Sequence, residues 1–302
     1  MKRYCRILFV MLLLLGFRPN VAFSESSPSL PWALLPRVAA LDEASKNELI
    51  DVLKHQPNYG KCKGTMYQCL ELEKPDPMAV RFANFGAYLV SKGVPARSLG
   101  ILVRERDSFL NQRTVQFFTF TNSPSLGNDK AKIIIAEFAE FKCTHCVAFG
   151  PVLKKLIADS NGKVRLFFKH FPLKNHPGTF FSSRAAQAAH RQGKFWEMYD
   201  LLYKDFSKQD MEDVLGYARI LGMDVERFKK DLEDPKIEEL VERDKMEGVR
   251  AKVTGTPTLF INGKMYNLRY LEEFLKDLIN EEAERLGLEP PYQDWVYSRP
   301  KR

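Results

Sequence analysis

The sequence predicts an α/β protein: a βαβ unit and a ββα unit separated by a long helical insertion and preceded by a small helical unit. Three observations carry this. Two short apolar runs rich in β-branched residues, Lys132 to Phe138 and Lys163 to His170, flank a helical stripe at Val152, Leu153, Leu156 and Ile157. A strand, helix and strand in that order imply parallel strands around a crossover helix. Residues 178 to 253 are almost wholly helical in pattern. After them, Thr258 to Asn262 and Met265 to Leu268 flank a Gly263-Lys264 turn, and an amphipathic helix from Leu271 to Leu286 follows.

The remaining elements follow in order. A basic start (Lys2, Arg3, Arg6), an apolar core from Ile7 to Phe17 and the small-x-small site Ala22-Phe23-Ser24 predict a secretory leader over 1–24. That core is too short to span a bilayer, and no later stretch is long enough, so the mature chain is expected to be exported with no transmembrane segment. The region 25–113 then reads as a Ser/Pro-rich linker and a helical region. A helix over Leu41 to Lys54 leads to a loop from Gln56 to Lys74 holding Cys62 and Cys69. Asp76 caps the next helix, Pro77 suits its first turn, Met78, Phe82, Phe85 and Leu89 line one face, and Gly93 ends it. Pro95 opens another, striped by Leu99, Leu102 and Val103.

From 114 to 288 the pattern is that of the main α/β domain, with the insertion over about 178–253 and a tail over 289–302. Val115 to Thr121 reads as a strand and Asn122 to Lys130 as a polar turn. Within the insertion, Gln187 to Tyr203 reads as a helix, and Asp224 and Pro235 begin later ones. Phe195, Trp196 and Tyr199 recur at helical spacing as core.

The chain has 302 residues, 46 basic and 38 acidic. Four of the basic residues lie in the leader, leaving 42 against 38, an ordinary surface that gives no reason to expect nucleic acid as a partner. Beyond Cys5 in the leader, four cysteines remain in two close pairs, and export to an oxidising compartment makes each pair a candidate disulfide.

Cys143-Thr144-His145-Cys146 joins the central strand to the helix after it. A thiol at a helix start meets free backbone N–H groups and the positive end of the helix dipole, which favour its thiolate; a protonated His145 would add to this. Cys143 is therefore the expected attacking thiol and Cys146 the shielded, resolving one. A structural disulfide is the bland alternative, but so small a ring constrains the chain little. Cys62 and Cys69 enclose a short loop, where a disulfide contributes about 2.5 kcal/mol on the chain-entropy model; a second redox pair or metal binding are the other readings. Glu140, Lys142 and Lys169 read as surface charges near the site, and His170 and His176 as structural histidines.

Four collinear pieces resemble the DsbA-type thioredoxin-like family of exported bacterial thiol–disulfide oxidoreductases: Glu137-Phe138 to Cys146, Lys169 to Leu173, Gly193 to Met198, and Gly255 to Gly263. The resemblance covers roughly residues 130 to 280 and implies an elaborated thioredoxin fold. It implies a cis proline at Pro257 facing the active site, with Thr256 before it biased to extended backbone that suits pairing with a peptide. It also implies that Glu137 is a buried carboxylate below the cysteines, able to accept the Cys146 proton. Thr144 stands where DsbA has proline, and Thr256 is more like the isomerase and reductase relatives.

The expected activity is disulfide exchange with thiol-containing client proteins in the periplasm, as an oxidase, because a stabilised thiolate makes the disulfide a stronger oxidant. A membrane redox partner, either a quinone-linked oxidase or a thiol reductant, would reset the pair. No cofactor beyond the redox disulfide and no metal is expected. The alternatives are a disulfide isomerase or reductase of the same fold and, from a different class, a soft-metal protein holding copper or zinc on Cys143 and Cys146. Two soft ligands with His145 poorly placed between them make a weak metal site.

Overall fold

The computed structural model describes residues 30–268 and 270–293. The leader over 1–24, the start of the linker and the end of the C-terminal tail lie outside the described residues.

Helices α1 (Pro36–Ala39), α2 (Glu43–His55), α3 (Met66–Leu70), α4 (Pro77–Ser91) and α5 (Leu99–Leu110) come first. The caps are those the side chains dictate: Asp42 accepts from Ser45 N–H, Asp76 accepts from Met78 N–H with Pro77 at the first position, and Gly93 leaves α4 with φ of 85°. The stretch read as an unbroken loop from Gln56 to Lys74 holds α3, because Thr65 and Gln68 form a reciprocal capping box. Cys69 lies in that helix, and a disulfide joins it to Cys62.

The sheet has five strands in the order β1-β3-β2-β4-β5: β1 (Ser125–Gly127), β2 (Ile133–Ala139), β3 (Val164–His170), β4 (Thr258–Ile261) and β5 (Lys264–Tyr266). β2 and β3 are parallel, joined by α6 (Thr144–Ala158), while β4 runs antiparallel to β2 and to β5. Asn262 and Gly263, both at positive φ, make the tight turn between β4 and β5. The insertion comprises α7 (Thr179–His190), α8 (Phe195–Lys204), α9 (Met211–Ile220), α10 (Val225–Glu233) and α11 (Pro235–Arg250), and α12 (Glu272–Arg285) closes the fold.

Three expectations are corrected. Val115 to Thr121 forms no strand: Phe118 packs on Phe138 and Phe260, Phe120 stacks on Phe167, and Phe117 is 91% exposed. The in-out alternation is that of a strap lying across the sheet. Its Gln116 N–H reaches Gly263 carbonyl, and the side chain of Gln112 takes both backbone groups of Met265 on the edge strand. The antiparallel strand beside β3 is instead β1, inside the segment read as a polar turn. The helix expected over Gln187 to Tyr203 is two helices, because Gly193 at φ 71° ends α7 and lets Lys194 N–H bond back to Ala189.

Ile133 and Ile135 of β2 pack with Leu153 and Leu156 of α6, with α12, and with Leu49, Phe85 and Phe109 of the N-terminal helices in one continuous core. Ala136 and Phe138, on the opposite side of the strand, pack with Phe171 and Phe260. Phe141, Cys146 and Phe168 join the insertion's core with Phe195 and Met198.

Candidate active site: a cysteine pair at the start of a helix

β2 delivers the chain to the top of the sheet and α6 carries it away, so the residues between them sit where the backbone has no ladder partner. Cys143 is the N-cap of α6, in extended backbone, and its Sγ accepts the N–H of Cys146 at 3.2 Å. α6 starts at Thr144, so Cys143 caps its first turn and Cys146 lies within it. The Cys143 thiol donates to the carbonyl of Thr256 at 3.2 Å. Thr256-Pro257 is a cis peptide immediately before β4, whose Thr258 pairs with Phe138 of β2. The sheet register is therefore what brings the proline against the cysteines.

Both thiols are free, with Cys146 fully buried and Cys143 only 4% exposed. The expected solvent-facing sulfur is thus tucked under an exposed Thr144 and His145. The Cys143 thiol is lowered to about 6, first by the hydrogen bond from the Cys146 side chain, against the cost of burial, with help from the Thr256 side chain and the Cys146 N–H. The Cys146 thiol is pushed far above its ordinary range, by burial first and then by the hydrogen bond it gives to Cys143. Two sulfurs of one turn are thereby driven apart in acidity.

Glu137 lies on β2 on the same side as Ile133 and Ile135, fully buried, and neither carboxyl oxygen has a hydrogen-bonding partner. Burial, and secondly the charge of Cys143, push it up to about 8, with Lys154 acting against them.

An apolar groove of about 340 Å³ opens beside the pair, lined by His145, Phe149, Val152, Thr256, Pro257 and Tyr270. Tyr270 was not singled out from the sequence. Its hydroxyl donates to the Pro257 carbonyl at 2.9 Å and its ring meets Phe149 edge-on at 5.0 Å. The aromatic residue just before the last helix was the available signal.

Two of the three charges read as surface are not, while Lys142 remains partly exposed. Lys169 is fully buried and paired with Asp244 and, at 2.9 Å, with Glu247. Glu140 is fully buried as well, held by His176 and Thr179. In both cases the partners come from the insertion or, for His176, from just before it, at sequence separations that local pattern does not reveal. His170 is buried against Gln187 at 3.1 Å, and burial lowers it to about 4. Cys69 lies in α3 and Cys62 in the loop before it, neither on the elements that build this site. Among the described residues, no three His, Cys, Asp or Glu side chains cluster as a metal would require.

The Thioredoxin family matches residues 119–281, just over half of the chain. The chain is 32% identical to the probable disulfide bond formation protein D of Bacillus cereus over 184 residues, 56% of this chain and 83% of that protein. It is 35% identical over 150 residues to the Na(+)/H(+) antiporter NhaA 3 of Salinispora tropica, 49% of this chain. It spans about a quarter (23%) of that antiporter's length. Among solved structures it is similar to a thioredoxin-like oxidoreductase from Silicibacter pomeroyi (26% identity, TM-score 0.49, 59% of this chain and 98% of that one). It is also similar to BdbD from Bacillus subtilis (22% identity, TM-score 0.47, 58% of this chain and 100% of that one). The family match spans the sheet, both cysteines and the cis proline, and the chain belongs to the Thioredoxin family.

Proposed function

We propose that this chain is an exported thiol–disulfide oxidoreductase of the DsbA type that introduces disulfides into client proteins. The observation that carries the reading is the split between a Cys143 thiol lowered to about 6 and a Cys146 thiol buried behind it in the same turn. In the oxidised form a client thiolate attacks Cys143 Sγ, the Cys143–Cys146 bond breaks, and Cys146 leaves with the electron pair. Glu137, whose buried carboxyl is pushed up to about 8, then hands Cys146 its proton. A second client thiolate then attacks the client sulfur of the mixed disulfide and releases Cys143 as a thiolate. The client loses two electrons and the pair gains them.

Because the reduced form keeps a stabilised thiolate, its disulfide is the stronger oxidant, which favours oxidase over isomerase or reductase. The groove beside Pro257 is the surface for an extended client segment, with Thr256 and Pro257 offering a short stretch of backbone next to the reacting sulfur. The leader supports an extracytoplasmic location, where a membrane quinone-linked oxidase would remove the electrons.

Turnover of a reduced, unfolded protein substrate tests this. Wild type is expected to form disulfides, Cys143→Ser to lose all activity, and Cys146→Ser to accumulate mixed disulfides with the client. Absence of turnover with both cysteines intact would reject the enzyme reading, and equal trapping by both variants would reverse the two roles. Equilibration of the pair with glutathione separates oxidase, with the pair reduced, from reductase, with the pair oxidised.

A further inference from the structure

The exchange chemistry makes no use of Glu140, yet this residue stands on the loop that delivers Cys143. β2 ends at Ala139 and residues 140–142 turn into α6. The Glu140 side chain folds back so that Oε2 accepts Lys142 N–H at 2.9 Å and the Thr179 hydroxyl of α7. Its Oε1 is bonded by His176 Nδ1 at 2.6 Å. The Glu140 carbonyl accepts from Tyr203 of α8 at 3.1 Å, and that of Phe141 accepts from Gln209 at 2.8 Å. The insertion therefore grips this turn at three points, and His176, just before it, at a fourth. Tethering alone needs only an acceptor, which an uncharged amide oxygen would supply to Lys142 N–H and Thr179. A buried anion three residues from a sulfur that must ionise opposes that ionisation, and it calls for a counter-ion. His176, with 32% of its side chain exposed, is where a cation can form at the boundary with water.

We propose that Glu140 and His176 act as an electrostatic brake on Cys143: the Glu140 charge opposes the thiolate, and a protonated His176 offsets that charge. Both are positioning residues, touching neither client nor sulfur, and through them the insertion sets how oxidising the cysteine pair is. The other charged and titratable groups facing Cys143 are Cys146, which bonds it, Glu137 below it, Tyr203 of α8 and His145 on α6, while Lys142 lies against Gly178 at the start of α7. In support, the Glu140 charge raises the Cys143 thiol, against the lowering by Cys146. This inference rests on the thiol-exchange reading.

Thiolate absorbance of the reduced protein, followed against pH, tests it in wild type, Glu140→Gln, His176→Gln and Thr179→Val. Glu140→Gln is expected to lower the Cys143 midpoint by about half a unit, roughly threefold in the ionisation equilibrium, and to make the disulfide more oxidising. His176→Gln keeps a donor but no charge, and should move the midpoint up by a similar amount. Thr179→Val should lower thermal stability and leave the midpoint in place. A purely structural grip predicts that the first two shift together or not at all; that result, or a Thr179→Val shift as large as that of Glu140→Gln, overturns the brake. Should Glu140→Gln fail to fold, His176→Gln decides: a rise supports the brake and no rise overturns it. A wild-type midpoint at the value of free cysteine would instead reject the exchange reading itself.

Discussion

Glu137 has a carboxyl that is buried without a hydrogen-bonding partner and pushed up to about 8. A raised acid binds its proton in the folded state over a range where the unfolded chain has lost it. Its contribution to stability therefore falls as pH climbs from about 4.5 towards 8, and is unaffected below that window. Glu137→Gln removes this dependence while keeping the shape. The reduced variant is expected to gain stability over reduced wild type progressively across that window, by at most a few kcal/mol. The same variant should slow the step that protonates or deprotonates Cys146 by about tenfold to a hundredfold. Denaturation at several pH values checks the first expectation, and stopped-flow exchange with a client peptide checks the second. A pH-independent stability difference would mean that Glu137 is held by contacts rather than by its charge. From the sequence alone Glu137 was one apolar-strand carboxylate among others; the resemblance to DsbA-type proteins, and not its local pattern, singled it out. The cysteine pair was legible because its spacing at a helix start is a chemical signature, whereas the cis form of Pro257 came from the resemblance alone. Glu140 and Lys169 were misread because a charge reads as exposed until its partner is known, and their partners lie at least 36 residues away.

Individual elements were legible where caps mark them. Asp76-Pro77 and Gly93 bracket α4, whereas the stop at Gly193 that ends α7 was passed over because the apolar periodicity runs straight through it. The strap over 115–121 was not legible, because alternation of phenylalanines is the same whether a segment pairs in a sheet or lies across one. On α3 and the loop before it, the Cys62–Cys69 disulfide fixes a short segment whose Cys69 end is fully buried. Replacing both cysteines by serine is expected to lower unfolding free energy by about 2 to 3 kcal/mol and leave the exchange rate of Cys143 unchanged. Chemical denaturation alongside a turnover assay checks this. A loss of turnover in a variant that remains folded would make the N-terminal pair an electron relay, the reading that its placement disfavours.

Over the whole molecule, the N-terminal helices and the thioredoxin domain share one core, and a buried ionic cluster fastens them. Arg81 of α4 bonds Asp277 at 2.8 Å and Glu284 at 2.5 Å, while Arg106 of α5 reaches Asp277 and Glu281, all three acids on α12. Two cations against three carboxylates in a dry interface are specific but costly to break, since removing one partner leaves uncompensated charge. Arg106→Ala should cost about 3 to 5 kcal/mol and loosen α12 against α5; a loss below about 1 kcal/mol would show that apolar packing alone holds the two parts. Above this scaffold, the chemistry depends on one sulfur being acidic and its neighbour not. Ultraviolet titration of the thiolate in the reduced protein, with Cys143→Ser as the blank, measures that directly. A midpoint near pH 6 that disappears in Cys143→Ser is the predicted result. A midpoint near 8.5, that of an unperturbed cysteine, would contradict the account.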